Sequence, residues 1–180
     1  MQMLERWLQR IEAVCQWIAG LLILAIMLIV FADVIGRYLF NSPLRWAYDL
    51  INLYLMAGLF FLSLSFAHAA QAHVGVDIVV QKLSDTGRRY AECLACLVAL
   101  PLFGLICRAG AGRAWTNWEN GDAMSGLIAW PTWVGAALMA LGSGVLVLRL
   151  ALRLVGNLAS LATGTDVVAP PAAHGHAGGE

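Results

Sequence analysis

Residues 37–50, RYLFNSPLRWAYDL, separate two strongly apolar runs and decide how the chain is interpreted. The stretch carries Arg37, Arg45 and Asp49, and Asp33 lies one helical turn before it. Charged side chains are expensive inside a membrane, where an Arg or Asp at the centre of a helix costs about 2.5–3.5 kcal/mol. Because the connection is short, we predict a hairpin of two transmembrane helices with these four charges near its tip.

The composition places the whole chain in a membrane. Of its 180 residues, 61% are hydrophobic and 12% are charged, whereas a soluble domain has about 25% charged residues. The net charge is zero without a basic tract, so no nucleic-acid partner is expected. The four cysteines lie in or beside apolar runs and are interpreted as small packing residues. We therefore expect no metal and no cofactor.

Four segments are long and apolar enough to cross a bilayer, which takes about 20 residues. They are residues 14–35, 46–70, 91–107 and 127–148. Uninterrupted runs of this length favour helices over barrel strands. Residues 1–160 are therefore predicted to form an all-α integral membrane unit of four helices. Residues 161–180 are rich in Ala, Gly and Pro and are predicted to be a disordered cytoplasmic tail.

The distribution of Lys and Arg predicts the orientation of the chain. Seven of these residues lie in the N-terminus, the middle loop and the C-terminal flank, and four lie in the other two loops. Because cytoplasmic segments carry the excess of Lys and Arg, both termini are expected to be cytoplasmic. Residues 4–11 and 76–83 have helical apolar spacing. They are predicted either to form short interfacial helices or to extend the neighbouring spans.

The hairpin charges have two interpretations. Asp33 and Arg37 are four residues apart, as are Arg45 and Asp49, so each pair shares a helix face and can form an ion pair. Trp46 would then anchor the hairpin at the membrane surface. Alternatively, one charge faces another protein and specifies docking. Composition alone favours local neutralisation.

A transport pathway needs polar groups aligned across the bilayer. The first, third and fourth spans have the apolar middles ILAIMLIV, LACLVALPLF and GAALMALGSGVLV, so this chain alone is a poor conduit. No nucleophile–base pair or phosphate loop is present either, and no enzymatic activity is expected. The remaining classes are a scaffold subunit, a self-sufficient homodimeric four-span transporter and a membrane-bound redox subunit.

The hairpin sequence resembles the signature of the small membrane subunit of tripartite ATP-independent periplasmic (TRAP) transporters. The family often has Glu where this chain has Asp49. The matching residues are Arg37, Tyr38, Phe40, Asn41, Pro43, Leu44, Trp46, Asp49 and Leu50.

Two further segments carry the same resemblance. The stretch HVGVDIVVQKL matches the family at His73 and Asp77, and GDAMSGLIAWPTW matches it at Gly121 and Pro131. Pro131 is expected in the first turn of the fourth helix, where a missing N–H costs nothing. The family frequently has a cation before the histidine, and this chain has none there.

The resemblance implies a transporter of three parts. A periplasmic binding protein captures an organic anion, usually a carboxylate. A large membrane subunit holds the substrate and sodium sites. The small subunit enlarges the scaffold in the bacterial inner membrane and helps to seat the binding protein. The resemblance therefore favours the second interpretation of the hairpin charges, in which Asp33, Arg37, Arg45 and Asp49 form a network that supports this interface. The periplasmic loops of the small subunit would be residues 37–46 and 108–126. Exposed candidates on the second loop are Arg108, Arg113, Trp115, Trp118, Glu119 and Asp122.

Overall fold

The computed structural model describes residues 2–69, 85–126 and 128–163. These residues are almost entirely helical, and one short pair of antiparallel strands follows the third span. The elements are α1 (Gln2–Leu39), α2 (Ala47–Leu50), a π-helical turn (Ile51–Leu55), α3 (Met56–Ala69), α4 (Asp85–Asn120), β1 (Ala123–Met124), β2 (Trp130–Pro131) and α5 (Trp133–Thr163).

Four helical stretches are long and apolar enough to cross a membrane: Glu5–Leu39, Ala47–His68, Arg89–Asn120 and Trp133–Ser160. The second stretch joins α2, the π turn and α3. The predicted all-α membrane fold with four transmembrane helices is therefore confirmed. His73, Asp77 and the amphipathic segment 76–83 lie outside the described residues, as does the tail beyond residue 163.

The helices begin and end at positions that differ from the predicted ones. Residues 4–11 are not a separate interfacial helix, because α1 is continuous from Gln2 and its Leu8 is only 1% exposed. The predicted loop 108–126 is wrong for residues 108–120, because α4 continues to Asn120. The helix persists there because one of its faces packs along α5, as described below.

The predicted place of Pro131 is also wrong. The fourth transmembrane helix begins at Trp133, and Pro131 precedes it in β2, where it pairs with Ala123 of β1. This strand has only two residues and one neighbour. A proline is tolerated at such an edge because its missing N–H is not needed for a second neighbour.

The helices pack in the order α1, α3, α5, α4, and α1 also contacts α5 over a shorter length. Cys96 of α4 forms a buried cluster with Leu146 and Leu150 of α5. The backbones of α3 and α5 come close together at Gly142, where a Cβ atom would overlap the Phe61 backbone carbonyl. Glycine is required here because the two backbones nearly touch.

Small residues also join α4 to α5. Gly110 is buried against α5, and a Cβ atom at this position would lie 3.1 Å from the Ala140 nitrogen and 3.3 Å from the Ala136 oxygen. The Cys107 thiol donates to the Ala140 carbonyl at 3.4 Å. Ala136, Ala140 and Gly144 of α5 therefore contact α4 of the same chain.

Candidate functional site: the hairpin and a second polar network

The ion pairs among the described residues lie toward the two ends of the helix bundle. We call the end with residues 40–46 and 121–132 the hairpin end, and the end with the N-terminus of α1 and the C-terminus of α5 the terminal end. In α1, Glu12 and Asp33 are separated by 20 uncharged residues. At a rise of 1.5 Å per residue they lie about 31 Å apart, close to the thickness of a hydrocarbon core.

Asp33 holds the hairpin together. One carboxylate oxygen accepts from the Arg37 guanidinium at 2.7 Å, and the other accepts the Leu44 backbone N–H at 2.7 Å. The first contact is the predicted ion pair within α1. The second, which local spacing does not predict, ties the last turns of α1 to the connection three residues before α2. Asp33 therefore fixes the path of the loop.

The end of α1 depends on Gly36, a residue that the sequence analysis did not select. Its carbonyl accepts the backbone N–H groups of Phe40 at 3.2 Å and Ser42 at 2.9 Å. A Cβ atom at Gly36 would lie 2.8 Å from the Ser42 oxygen. Asn41 has a φ of 50°, and asparagine tolerates this left-handed conformation. The sequence signal for this helix end was a glycine, Gly36, followed five residues later by an asparagine, Asn41.

The second predicted ion pair is not formed among the described residues. Arg45 is exposed and Asp49 is half-buried, but no ion pair joins Asp49 to either Arg45 or Arg37. Asp49 instead faces the other loop, since its Oδ2 lies 3.3 Å from the position that a Cβ atom would take at Gly126. The connecting residues Pro43 and Trp46 are exposed and half-buried, respectively.

The second loop of the hairpin end is fixed by hydrogen bonds to backbone carbonyls. Gly121 ends α4 with a φ of 65°. The Asp122 carbonyl accepts from both the backbone N–H and the hydroxyl of Thr132, at 3.0 and 3.1 Å. The Tyr54 hydroxyl, which the π turn presents, donates to the Pro131 carbonyl at 2.7 Å. The two loops at this end are therefore held to the same helical framework.

A second polar network lies at the terminal end. Glu12 is only 4% exposed, although it precedes the first apolar run. Its carboxylate accepts the Ser65 hydroxyl at 2.6 Å and pairs with Arg149 at 3.4 Å. One buried carboxylate thus joins α1, α3 and α5.

The α4 helix is joined to α5 by a similar contact. Arg153 donates to Glu92 at 2.8 Å, with both side chains less than one fifth exposed. Asn157 lies one turn further along α5 and is fully buried. From the sequence, Arg149 and Arg153 are predicted only to flank the fourth span on its cytoplasmic side. The available signal was Glu12 itself, which lies at helical spacing between the apolar residues Leu8 and Cys15.

The role of Asp33 predicts a graded response to substitution. Asp33→Ala removes both acceptors, so the Leu44 amide should exchange with deuterium faster than in the wild type. Asp33→Asn keeps one oxygen acceptor, so this amide should stay protected while the contact to Arg37 weakens. Hydrogen–deuterium exchange of the hairpin peptides measures both effects. Equal protection of Leu44 in the alanine variant would contradict the assigned role.

Together, these features define an integral membrane protein with polar networks at its two ends and a first helix that carries no charge between Glu12 and Asp33. A family model matches residues 26–160, three quarters of the chain, and its description is "Tripartite ATP-independent periplasmic transporters, DctQ component". The chain therefore belongs to the DctQ component family of TRAP transporters. The predicted family is confirmed.

Two curated relatives agree with this assignment. The chain is 28% identical over 123 residues to the sialic acid TRAP transporter permease protein SiaT of Haemophilus influenzae (strain 86-028NP). It is 24% identical over 115 residues to the C4-dicarboxylate TRAP transporter small permease protein DctQ of Vibrio cholerae serotype O1 (strain ATCC 39315 / El Tor Inaba N16961). The matched regions cover 68% and 62% of this chain, but only 20% and 49% of the two relatives.

Proposed function

We propose that this chain is the small permease subunit of a TRAP transporter and acts as a non-catalytic scaffold. In this proposal it pairs with a large membrane subunit in the bacterial inner membrane and helps to dock a periplasmic substrate-binding protein. The complex takes up an organic acid together with sodium. A carboxylate substrate is supported by the names of the two relatives, which refer to sialic acid and to C4-dicarboxylates.

The observation that carries the proposal is where the charges lie and what they contact. Asp33 accepts a hydrogen bond from the hairpin backbone, and Glu12 and Glu92 accept hydrogen bonds from side chains of neighbouring helices. These groups join one element of the chain to another, as a scaffold requires. A substrate pathway needs polar groups through the membrane centre, and α1 has no charge between its two ends. The self-sufficient transporter is therefore not favoured.

The orientation is part of the proposal. In the sequence, seven Lys and Arg residues lie in the N-terminus, the middle loop and the C-terminal flank, and four lie in the two predicted loops on the other side, which favours a cytoplasmic terminal end. The hairpin end would then face the periplasm and the binding protein. Its surface includes Tyr38 and Phe40, which are 81% and 74% exposed. Exposed aromatic side chains of this kind are common in protein interfaces.

Reconstitution tests the proposed function. Proteoliposomes that contain this chain, its large membrane partner and the binding protein should take up the binding protein's organic acid when an inward sodium gradient is imposed. Vesicles that lack only this chain should lose uptake, and vesicles that contain only this chain should show none. Uptake by this chain alone would overturn the scaffold assignment and restore the self-sufficient transporter.

A further inference from the structure

The part of α4 from Cys107 to Trp118 lies beside an uncharged part of α5. Cys107 contacts Ala140, and the rings of Trp118 and Trp133 lie 4.7 Å apart in an edge-to-face contact. The α5 helix has no charged residue from Trp133 to residue 148. Since Ala140 is seven residues into α5, the contact to Cys107 lies about 10 Å below the start of that helix. The next residue of α4, Arg108, therefore lies beside the apolar band.

The arginine is on the face of α4 that points away from α5. Gly110 is buried against α5, whereas Arg108, Gly112, Trp115 and Glu119 are exposed. Their spacing of four, three and four residues places these four on one side of the helix. We call this set the α4 outer face. No ion pair joins Arg108 to any residue that the structure describes.

A guanidinium at this depth is costly against lipid and is stabilised by a carboxylate, which it can bind with two parallel hydrogen bonds. We propose that the α4 outer face binds a transmembrane segment of the large membrane subunit that presents an acidic side chain to Arg108. This inference rests on the proposed function. It also reassigns Arg108, which the sequence analysis placed in a periplasmic loop facing the binding protein.

The other occupants fit this face less well. If the same face of a second copy packed on the α4 outer face about a two-fold axis along the membrane normal, the two Arg108 side chains would meet at the same depth, and their like charges would repel. A soluble binding protein would have to reach about 10 Å below the first turn of α5. A membrane partner is consistent with the relative SiaT, in which the region matched by this chain is only 20% of the protein.

Charge reversal tests the α4 outer face in the complex. The tagged chain is expressed with its large subunit, purified in mild detergent, and the ratio of the two proteins is measured by quantitative mass spectrometry. Arg108→Glu should lower the amount of large subunit per tagged chain at least about tenfold, because it opposes two buried like charges. Arg108→Lys should retain most of it. Arg6→Glu, a reversal at an exposed position near the terminal end, should match the wild type.

A photocrosslinking residue, p-benzoylphenylalanine, at position 115 tests the same face without reversing a charge. Crosslinks to the large subunit support the proposal. Crosslinks to lipid alone, to a second copy or to the binding protein overturn it. If the wild-type chain retains the large subunit and Arg108→Glu retains it equally, only this face is wrong. If the wild type retains no large subunit, the proposed function itself fails.

Discussion

Arg149→Met is expected to lower the free energy of unfolding by about 3–5 kcal/mol, because it leaves a carboxylate buried without its cation. Glu12 is 4% exposed, and Arg149 is its ion-pair partner at 3.4 Å. The Ser65 hydroxyl remains as a donor, but one neutral hydrogen bond does not replace a charge in an apolar surrounding. Helix content measured by circular dichroism during SDS titration of detergent-solubilised protein gives the comparison.

The paired variant separates lost charge from lost packing. Glu12→Gln combined with Arg149→Met removes both charges and keeps an oxygen for Ser65, so it should recover part of the stability that Arg149→Met loses. Arg6→Met removes an exposed arginine from the same end of the protein and should be close to neutral. If Arg149→Met is as stable as Arg6→Met, the ion pair between Glu12 and Arg149 does not contribute to stability.

The second large effect is expected at Gly142, where the backbone of α5 lies against the Phe61 carbonyl of α3. Gly142→Ala should cost about 3 kcal/mol, at the upper end of the effect of overpacking, because the obstacle is backbone rather than a movable side chain. The new Cβ atom would overlap the Phe61 carbonyl carbon and oxygen. The two helices must therefore move apart, which also weakens contacts along both of them. The SDS titration described above measures the loss.

Gly104→Ala is the matched control for this prediction. Gly104 lies in the interior of α4, and no atom lies within 4 Å of the position that its Cβ would take. The same substitution there should be neutral or stabilising by about 0.5–1 kcal/mol, because alanine has the higher helix propensity. Equal destabilisation by both variants would show that the effect does not come from the helix contact at Gly142.

In the hairpin, the spacing of residues along the chain predicts one of the two proposed ion pairs correctly and the other incorrectly. The spacing of Asp33 and Arg37 predicted their ion pair, because residues four apart meet on any helix. The same rule failed for Arg45 and Asp49. Arg45 precedes α2, which begins at Ala47, so the two residues do not lie on one helical face. Asp49 turns instead toward Gly126, a residue 77 positions further along the chain.

The contacts between helices could not be predicted in this way. Glu12, Ser65 and Arg149 come from three different helices, and their meeting depends on the order and rotation in which the helices pack. The same limitation explains the misassigned loop at residues 108–126. Its polar composition suggested an aqueous loop, but one face of residues 108–120 packs on α5 and keeps them helical. The composition of the segment does not show which of its residues lie on the face that packs against α5.

The scaffold assignment means that this chain works only with a large membrane partner. Its most direct test is a mild-detergent purification of the tagged wild-type chain from its native membrane, followed by native mass spectrometry of the intact assembly. The assignment predicts one large polytopic membrane protein bound in equal amount. Recovery of a stable assembly that contains only copies of this chain would contradict it.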